Sequence, residues 1–188
     1  MNAGAKLWSA GEAAAAVGAD VTPGDWQAGG VSIDSRTIAP GDLFIALEGP
    51  NYDGHVFAAA ALARGAAAVM LHRRCEALDE EAPVLMVKDT LEALGDLAAE
   101  ARRRSLAKII AVTGSVGKTG TKEALRRVFA DQAATYASEG SLNNHWGVPL
   151  SLARMPRDAA FGIFEMAMNH AGEIAPLSRL ARPHVAVI

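Results

Sequence analysis

The chain has 188 residues, 51% of them hydrophobic, which excludes global disorder and allows a sizeable core in one large domain or two small ones. Its formal net charge is −3, so no basic excess marks it for nucleic acid or an anionic membrane surface, and any anion site must be local. One cysteine excludes an internal disulfide framework.

Ser9-Ala10-Gly11-Glu12 has capping-box spacing before an alanine-rich run, which predicts a short helix that stops at Gly18. This start has no basic region followed by a long apolar stretch, and no segment approaches the roughly 20 apolar residues that span a bilayer. Both readings point to a soluble cytoplasmic protein without membrane insertion. Pro23-Gly24 and Gly29-Gly30 mark a loop, Val31-Ser32-Ile33 a short strand, and Asp34-Ser35-Arg36 a polar corner. A turn at Pro40-Gly41 leads to a strand over 43–47, and a helix over 55–64 closes at Gly65. Residues 67–71 and 84–87 are apolar runs of strand length. Cys75, beside Arg73 and Arg74, reads as a semi-buried or surface thiol, because no local motif supports catalysis. Asp89 or Thr90 caps a helix reaching about Arg104, and the run Arg102-Arg103-Arg104 reads as a solvated helix end.

The texture then changes, and a domain boundary is expected near 105–107. Strands over 108–112, 135–137 and 160–166 alternate with helices over 117–130, 147–154 and 174–181, and another strand begins at Val185. That alternation predicts βαβ units and a mainly parallel sheet. The chain stops inside this last apolar strand, which reads as a longer protein cut short.

The strongest local signal is the run from Ile109 through Thr113-Gly114-Ser115-Val116-Gly117-Lys118-Thr119. A buried strand enters a glycine-containing loop, which enters a helix at Lys-Thr. Glycines let several N–H groups face one anion, and the helix N-terminus adds its positive dipole end. Lys118 can reach phosphates and the Thr119 hydroxyl can ligate Mg2+. Val112 stands where the strict phosphate-loop pattern has glycine, so this is the shorter G-x-x-G-K-T form. Glu165, at the end of its strand, can hold Mg2+ directly or through water. Asn143 and Asn144 can cap the following helix or read a polar ligand, and alone they favour capping. His170 sits in a polar loop as a lone histidine, a metal ligand or acid/base in a minority of such cases. Lys122 and Arg126 read as solvated helix charges. No Cys/His spacing suggests zinc.

Together these pieces resemble the Mur ligase family of peptidoglycan synthesis. The resemblance rests on Asp34-Ser35-Arg36 with 40–47, on Asp53-Gly54-His55 with Phe57, on Thr113 to Thr119, and on 142–149 with 165–174. It implies an α/β chain with a small N-terminal UDP-sugar-binding domain over 1–106. The first part of a P-loop-type, mainly parallel-sheet ATPase domain would follow over 107–188. Gly114, Ser115, Val116, Gly117, Lys118 and Thr119 would bind ATP, and Thr119 and Glu165 would hold Mg2+. Lys118, Glu165 and His170 would serve catalysis. Ser35, Arg36, Asn143 and Asn144 would contact substrate. The absence of a Thr-Thr-Pro and a Ser-Ser-His segment separates the pattern from members that add the third amino acid. It points to those that join D-alanyl-D-alanine to UDP-N-acetylmuramoyl-tripeptide through an acyl phosphate. Val116 and Gly120 depart from the commoner Asn and Thr of the family loop, and Gly120 weakens the helix start slightly. Family members run over twice this length, so this chain alone is expected not to complete a ligation. The competing readings are a third-residue ligase, a non-catalytic UDP-sugar module, and a P-loop kinase or GTPase, the last lacking an Asn-Lys-x-Asp motif. Oligomeric state has no signal in the sequence.

Overall fold

The computed structural model describes residues 6–19, 24–168 and 170–188. Pro23 of the first expected loop and Asn169 of the last polar loop lie outside the described residues. The chain divides into two compact units, residues 1–97 and 98–188. Each is built on its own four-stranded sheet.

The first unit opens with β1 (Trp8–Ser9), α1 (Ala10–Val17) and β2 (Gln27–Ala28), with β1 and β2 paired antiparallel. The capping box forms as expected. Glu12 N–H donates to Ser9 Oγ at 3.3 Å, and Ser9 N–H donates to the Glu12 carboxylate at 3.0 Å. Gly18 ends α1 in the left-handed conformation. The chain continues through β3 (Gly30–Ser32), β4 (Asp42–Ile45) and a hairpin of β5 (Glu48–Gly49) and β6 (Tyr52–Asp53). A 3-10 turn (Gly54–Phe57), α2 (Ala58–Ala63), β7 (Ala68–Leu71) and β8 (Val84–Met86) follow. The expected helix over 55–64 is split because Asp53 Oδ1 accepts the His55 N–H at 2.9 Å and closes a tighter first turn. The sheet order is β3-β4-β7-β8, every pair parallel. Phe44, Val69 and Leu71 pack on Ala58 and Ala61 of α2.

Next comes α3 (Thr90–Arg104), and the division between the units falls within it. Asp89 is its cap, with Oδ1 accepting from the N–H of Leu91 and Glu92 at 2.7 and 2.8 Å. Thr90 Oγ1 donates instead to Ala46 O.

The second unit runs β9 (Lys108–Val112), α4 (Lys118–Ala130), β10 (Thr135–Ala137), α5 (Gly147–Arg154), β11 (Phe161–Glu165), α6 (Ile174–Ala181) and β12 (Val185–Val187). Sheet order is β10-β11-β9-β12, again wholly parallel. Successive side chains of a strand point to opposite faces. Ile109 and Ala111 of β9 therefore join Phe164, Val148, Leu152 and Leu177 in one core. Ile110 and Val112 join Ile163, Leu125 and Phe129 in another. Thus α4 covers one face, while α5 and α6 cover the other. The adjacent strands β9 and β11 lead into helices on opposite faces, so their loops diverge at the C-terminal strand ends. That divergence is the topological switch point where open α/β sheets place ligands.

The run Arg102–Arg104 is not a uniformly solvated helix end. Arg103 is exposed and pairs with Glu100 at 2.6 Å, but Arg102 is buried. Its guanidinium donates to Ala181 O at 2.7 Å and Arg182 O at 3.1 Å, carbonyls that α6 leaves without helical partners. Among the described residues no helix is long and apolar enough to cross a membrane.

Candidate functional site

The loop after β9 starts from a fixed point. Thr113 N–H donates to Val187 O at the end of β12, and Thr113 Oγ1 donates to Met166 O just past β11, both at 2.9 Å. Gly117, with φ 77°, then caps α4 in a backbone conformation that disfavours any side chain. The first N–H groups of α4 thus face the crevice end of the sheet without intrahelical acceptors. Gly120 does not prevent α4 from starting at Lys118. Val116 projects outward at 85% exposure, so the loop presents backbone rather than this side chain to its interior.

Lys118 Nζ lies back along the loop, donating to Gly114 O at 2.8 Å. Thr119 Oγ1 donates to Glu165 Oε2 at 2.8 Å. Glu165 is the last residue of β11, pairs in register with Val112, and is 2% exposed. Its other oxygen, Oε1, accepts from Asn143 Nδ2 at 2.7 Å. A hydroxyl, a carboxylate and an amide from three elements thus form one chain at the switch point. The Thr119 hydroxyl and the Glu165 carboxylate beside the helix N-terminus offer oxygen ligands, which fits a hard cation such as Mg2+ carried with phosphate.

The two asparagines have separate tasks. Asn144 Oδ1 accepts from the N–H of Trp146 and Gly147 at 3.3 and 2.8 Å and so caps α5, as the sequence suggested. Asn143 turns toward Glu165 instead, while its carbonyl accepts from Ala167 N–H at 2.7 Å. Gly147 makes this possible. A Cβ there would stand 2.7 Å from the carbonyl carbon of Leu142. His170 is exposed, and its N–H donates to the Glu173 carboxylate at 3.1 Å. It lines an open cleft of about 780 Å3 together with Met168, Ile174 and Arg179.

Ser35 and Arg36 belong to the other unit. The Arg36 guanidinium is engaged by Asp34, with Nε to Oδ1 at 2.9 Å and a terminal nitrogen to Oδ2 at 2.6 Å. That hydrogen-bonded arginine lowers the Asp34 carboxyl to about 2. Ser35 is buried, and a terminal nitrogen of Arg64 donates to the carbonyls of Ser35 and Arg36 at 2.9 and 3.1 Å, pinning the corner.

One expectation is overturned outright. Lys122 is fully buried, with Nζ donating to Ser138 O at 2.6 Å and Gly140 O at 2.7 Å. Arg126 is a surface charge, paired with Glu123 at 2.8 Å. Helical spacing carried the missing signal, since Lys122 falls on the stripe of Leu125 and Phe129, which pack into the core. Glu48, His55 and His72 also converge within 4.8 Å of one another. The cation among them is Arg73, which donates to Glu48 Oε2 at 2.8 Å and lies 2.8 Å from His72 Nε2. Burial first, and then Arg73 and His72, push the His55 imidazole below its ordinary value despite Asp53. Burial likewise raises the Cys75 thiol, whose Sγ donates to His55 O, in keeping with an unreactive semi-buried cysteine.

The switch-point crevice and its loop define the second unit as a P-loop-type parallel-sheet domain. Residues 112–188 match the Mur ligase middle domain, and residues 27–102 match the Mur ligase family catalytic domain. The chain belongs to the Mur ligase family. It is 42% identical over 158 residues, 84% of its length, to UDP-N-acetylmuramoyl-tripeptide–D-alanyl-D-alanine ligase of Rickettsia prowazekii (strain Madrid E). Identity to the Escherichia coli (strain K12) ligase of the same name is 40% over 171 residues, 91% of the chain. These matches cover 35% and 36% of the relatives, so the chain spans about a third of their length. Among solved structures, the Acinetobacter baumannii D-alanyl-D-alanyl ligase aligns with TM-score 0.81 and 35% identity, over 95% of this chain and 40% of that one. The Thermotoga maritima MurF ligase in complex with ADP aligns with TM-score 0.67 and 30% identity, over 82% and 35%.

Proposed function

We propose that this chain is the nucleotide- and UDP-sugar-binding part of an ATP-dependent ligase that joins D-alanyl-D-alanine to UDP-N-acetylmuramoyl-tripeptide. The observation that carries the reading is the Thr119–Glu165–Asn143 chain at the mouth of the Gly114–Thr119 loop. The 112–188 match to the family's middle domain and the likeness to a ligase solved with ADP support it.

In this reading the backbone N–H groups of 114–119 and Lys118 hold the ATP phosphates, and Thr119 and Glu165 hold Mg2+. The ion supplies charge neutralisation at the transferred phosphoryl group. A peptide carboxylate displaces ADP to form an acyl phosphate, and the dipeptide amine then displaces phosphate to form the amide. The chain's own contribution is to position these groups and neutralise charge. Asn143, Asn144 and His170 are assigned to the place where the acceptor peptide would meet the γ-phosphate. Ser35 and Arg36 contact the UDP-sugar from residues 1–106, and residues 107–188 form the start of the ATPase domain. Since the matched relatives run about three times as long, the 188 residues bind these ligands without completing ligation.

Calorimetry of the purified chain with Mg·ATP, and separately with UDP-N-acetylmuramoyl-tripeptide, tests the reading. Saturable binding of both is expected. A well-folded chain that binds neither, or one that turns over all three substrates, would overturn it.

A further inference from the structure

Lys122 sits one turn into α4, beyond the residues assigned to phosphate and metal, and no solvent reaches its side chain. Burying an amine is costly unless its donors are used. Here Nζ reaches Ser138 O at 2.6 Å and Gly140 O at 2.7 Å, with Glu123 Oε1 3.4 Å away. A methionine would fill the same volume beside Leu125 and Phe129, so packing alone does not call for lysine. What an apolar side chain could not do is satisfy these two carbonyls, which lie past the end of β10, where the sheet ladder stops.

The segment that Lys122 grips bears directly on Glu165. Ser138 Oγ accepts the Glu165 N–H at 3.3 Å, and Ser138 N–H donates to Ile163 O at 3.0 Å. Gly140 then turns the chain with φ 51° toward Leu142 and Asn143. Asn143 comes back onto the Glu165 side chain at 2.7 Å. One short stretch therefore touches Glu165 at its backbone and at its carboxylate, and Lys122 fastens that stretch to the helix whose first turn holds Lys118 and Thr119.

We infer that Lys122 is a positioning residue. It locks the 138–143 segment to α4 and so keeps the Asn143 amide on Glu165 and the Glu165 carboxylate aimed at Thr119. The inference rests on the Mg·ATP reading for its consequence in binding. The geometric part is measurable without nucleotide.

The experiment compares the 188-residue chain with Lys122→Met, which keeps volume and removes the donors, and with Lys122→Arg, which keeps donors. Two readouts are taken on each: hydrogen exchange of 139–146 with the Asn143 side-chain amide resonance, and the Mg2+ concentration that half-saturates ATP binding. Expected for Lys122→Met is faster exchange across 139–146 and a displaced Asn143 amide signal. The Mg2+ midpoint should rise by about tenfold, the scale on which groups behind a metal ligand act. Lys122→Arg should recover part of each. Adding Asn143→Ala to Lys122→Met should cost little further Mg2+ affinity, because both act through the same carboxylate. An unchanged Asn143 signal, or a lower melting temperature with an unchanged Mg2+ midpoint, would overturn the inference in favour of plain structural burial. Failure of both Lys122 variants to fold would do the same. If the unsubstituted chain binds no Mg·ATP, the functional reading falls, and the exchange and amide signals alone decide whether Lys122 positions Asn143.

Discussion

Thr119 Oγ1 and Glu165 Oε2 are 2.8 Å apart although 46 positions separate them in the chain. The contact exists because β9 and β11 are neighbours in register, so that the helix following one strand begins beside the last residue of the other. Glu165→Gln keeps the shape and replaces one acceptor with a donor. Mg2+-dependent ATP affinity should fall by about ten- to a hundredfold, the range seen when groups around a metal are altered. Binding of the UDP-sugar should be unchanged. Calorimetry at fixed ATP and varied Mg2+ would settle it, and equal affinities would remove Glu165 from the metal site.

Lys118 tests the phosphate side independently. Its Nζ donates to Gly114 O, within the loop that would wrap the anion. Charge-assisted hydrogen bonds contribute about 1.5–3 kcal/mol, so Lys118→Met should weaken ATP binding by roughly ten- to a hundredfold. Melting temperature should hardly move. A loss of fold instead would mean that the lysine closes the loop rather than serving a ligand.

Gly147→Ala addresses the asparagine segment. The new Cβ would meet the Leu142 backbone at 2.7 Å, and backbone cannot step aside as a side-chain tip can. Overpacking of this kind costs about 1–3 kcal/mol. Chemical denaturation should show that loss, accompanied by faster exchange over 142–146. A neutral substitution would show that the segment yields freely.

Asp34 gives a pH prediction. Its carboxyl is held at about 2, against an ordinary 3.8, mainly by the Arg36 hydrogen bonds. A group lowered by folding contributes stability that is fully present above the ordinary value and disappears as pH falls through the folded value. Between about pH 4 and 2 the chain should lose stability that Asp34→Asn does not lose. Partial exposure of the pair keeps the effect modest. Urea unfolding across that range reads the difference, and parallel curves for the two proteins would contradict it.

Much of the second unit was legible because period and punctuation agree. The apolar run of β9, the glycines before Lys118 and the spacing of α5 and α6 each point to the observed element. The hairpin β5–β6 and the pair β1–β2 were not legible. Each strand has two residues, too few for alternation to register. Lys122 and Arg102 were misread for a different reason. Charge suggests solvent, but both sit where backbone carbonyls run out of regular partners, and only the fold brings those carbonyls to them. The convergence of Asn143 on Glu165 likewise depends on tertiary pairing, whereas Asn144 was readable from its place just before α5.

The position of β9 at the centre of its sheet has a consequence for synthesis. Thr113, just past its end, bonds to Met166, 53 positions later, and Ile109 bonds to His184, 75 positions later. At ribosomal rates of roughly 5–20 residues per second, the apolar Ile109-Ile110-Ala111-Val112 edge waits several seconds for its neighbours. Pairing that late is slow and leaves sticky backbone open to other chains. Yield from cells should therefore respond to translation speed and to chaperones that shield nascent strands, more than the thermal stability of the finished protein would suggest.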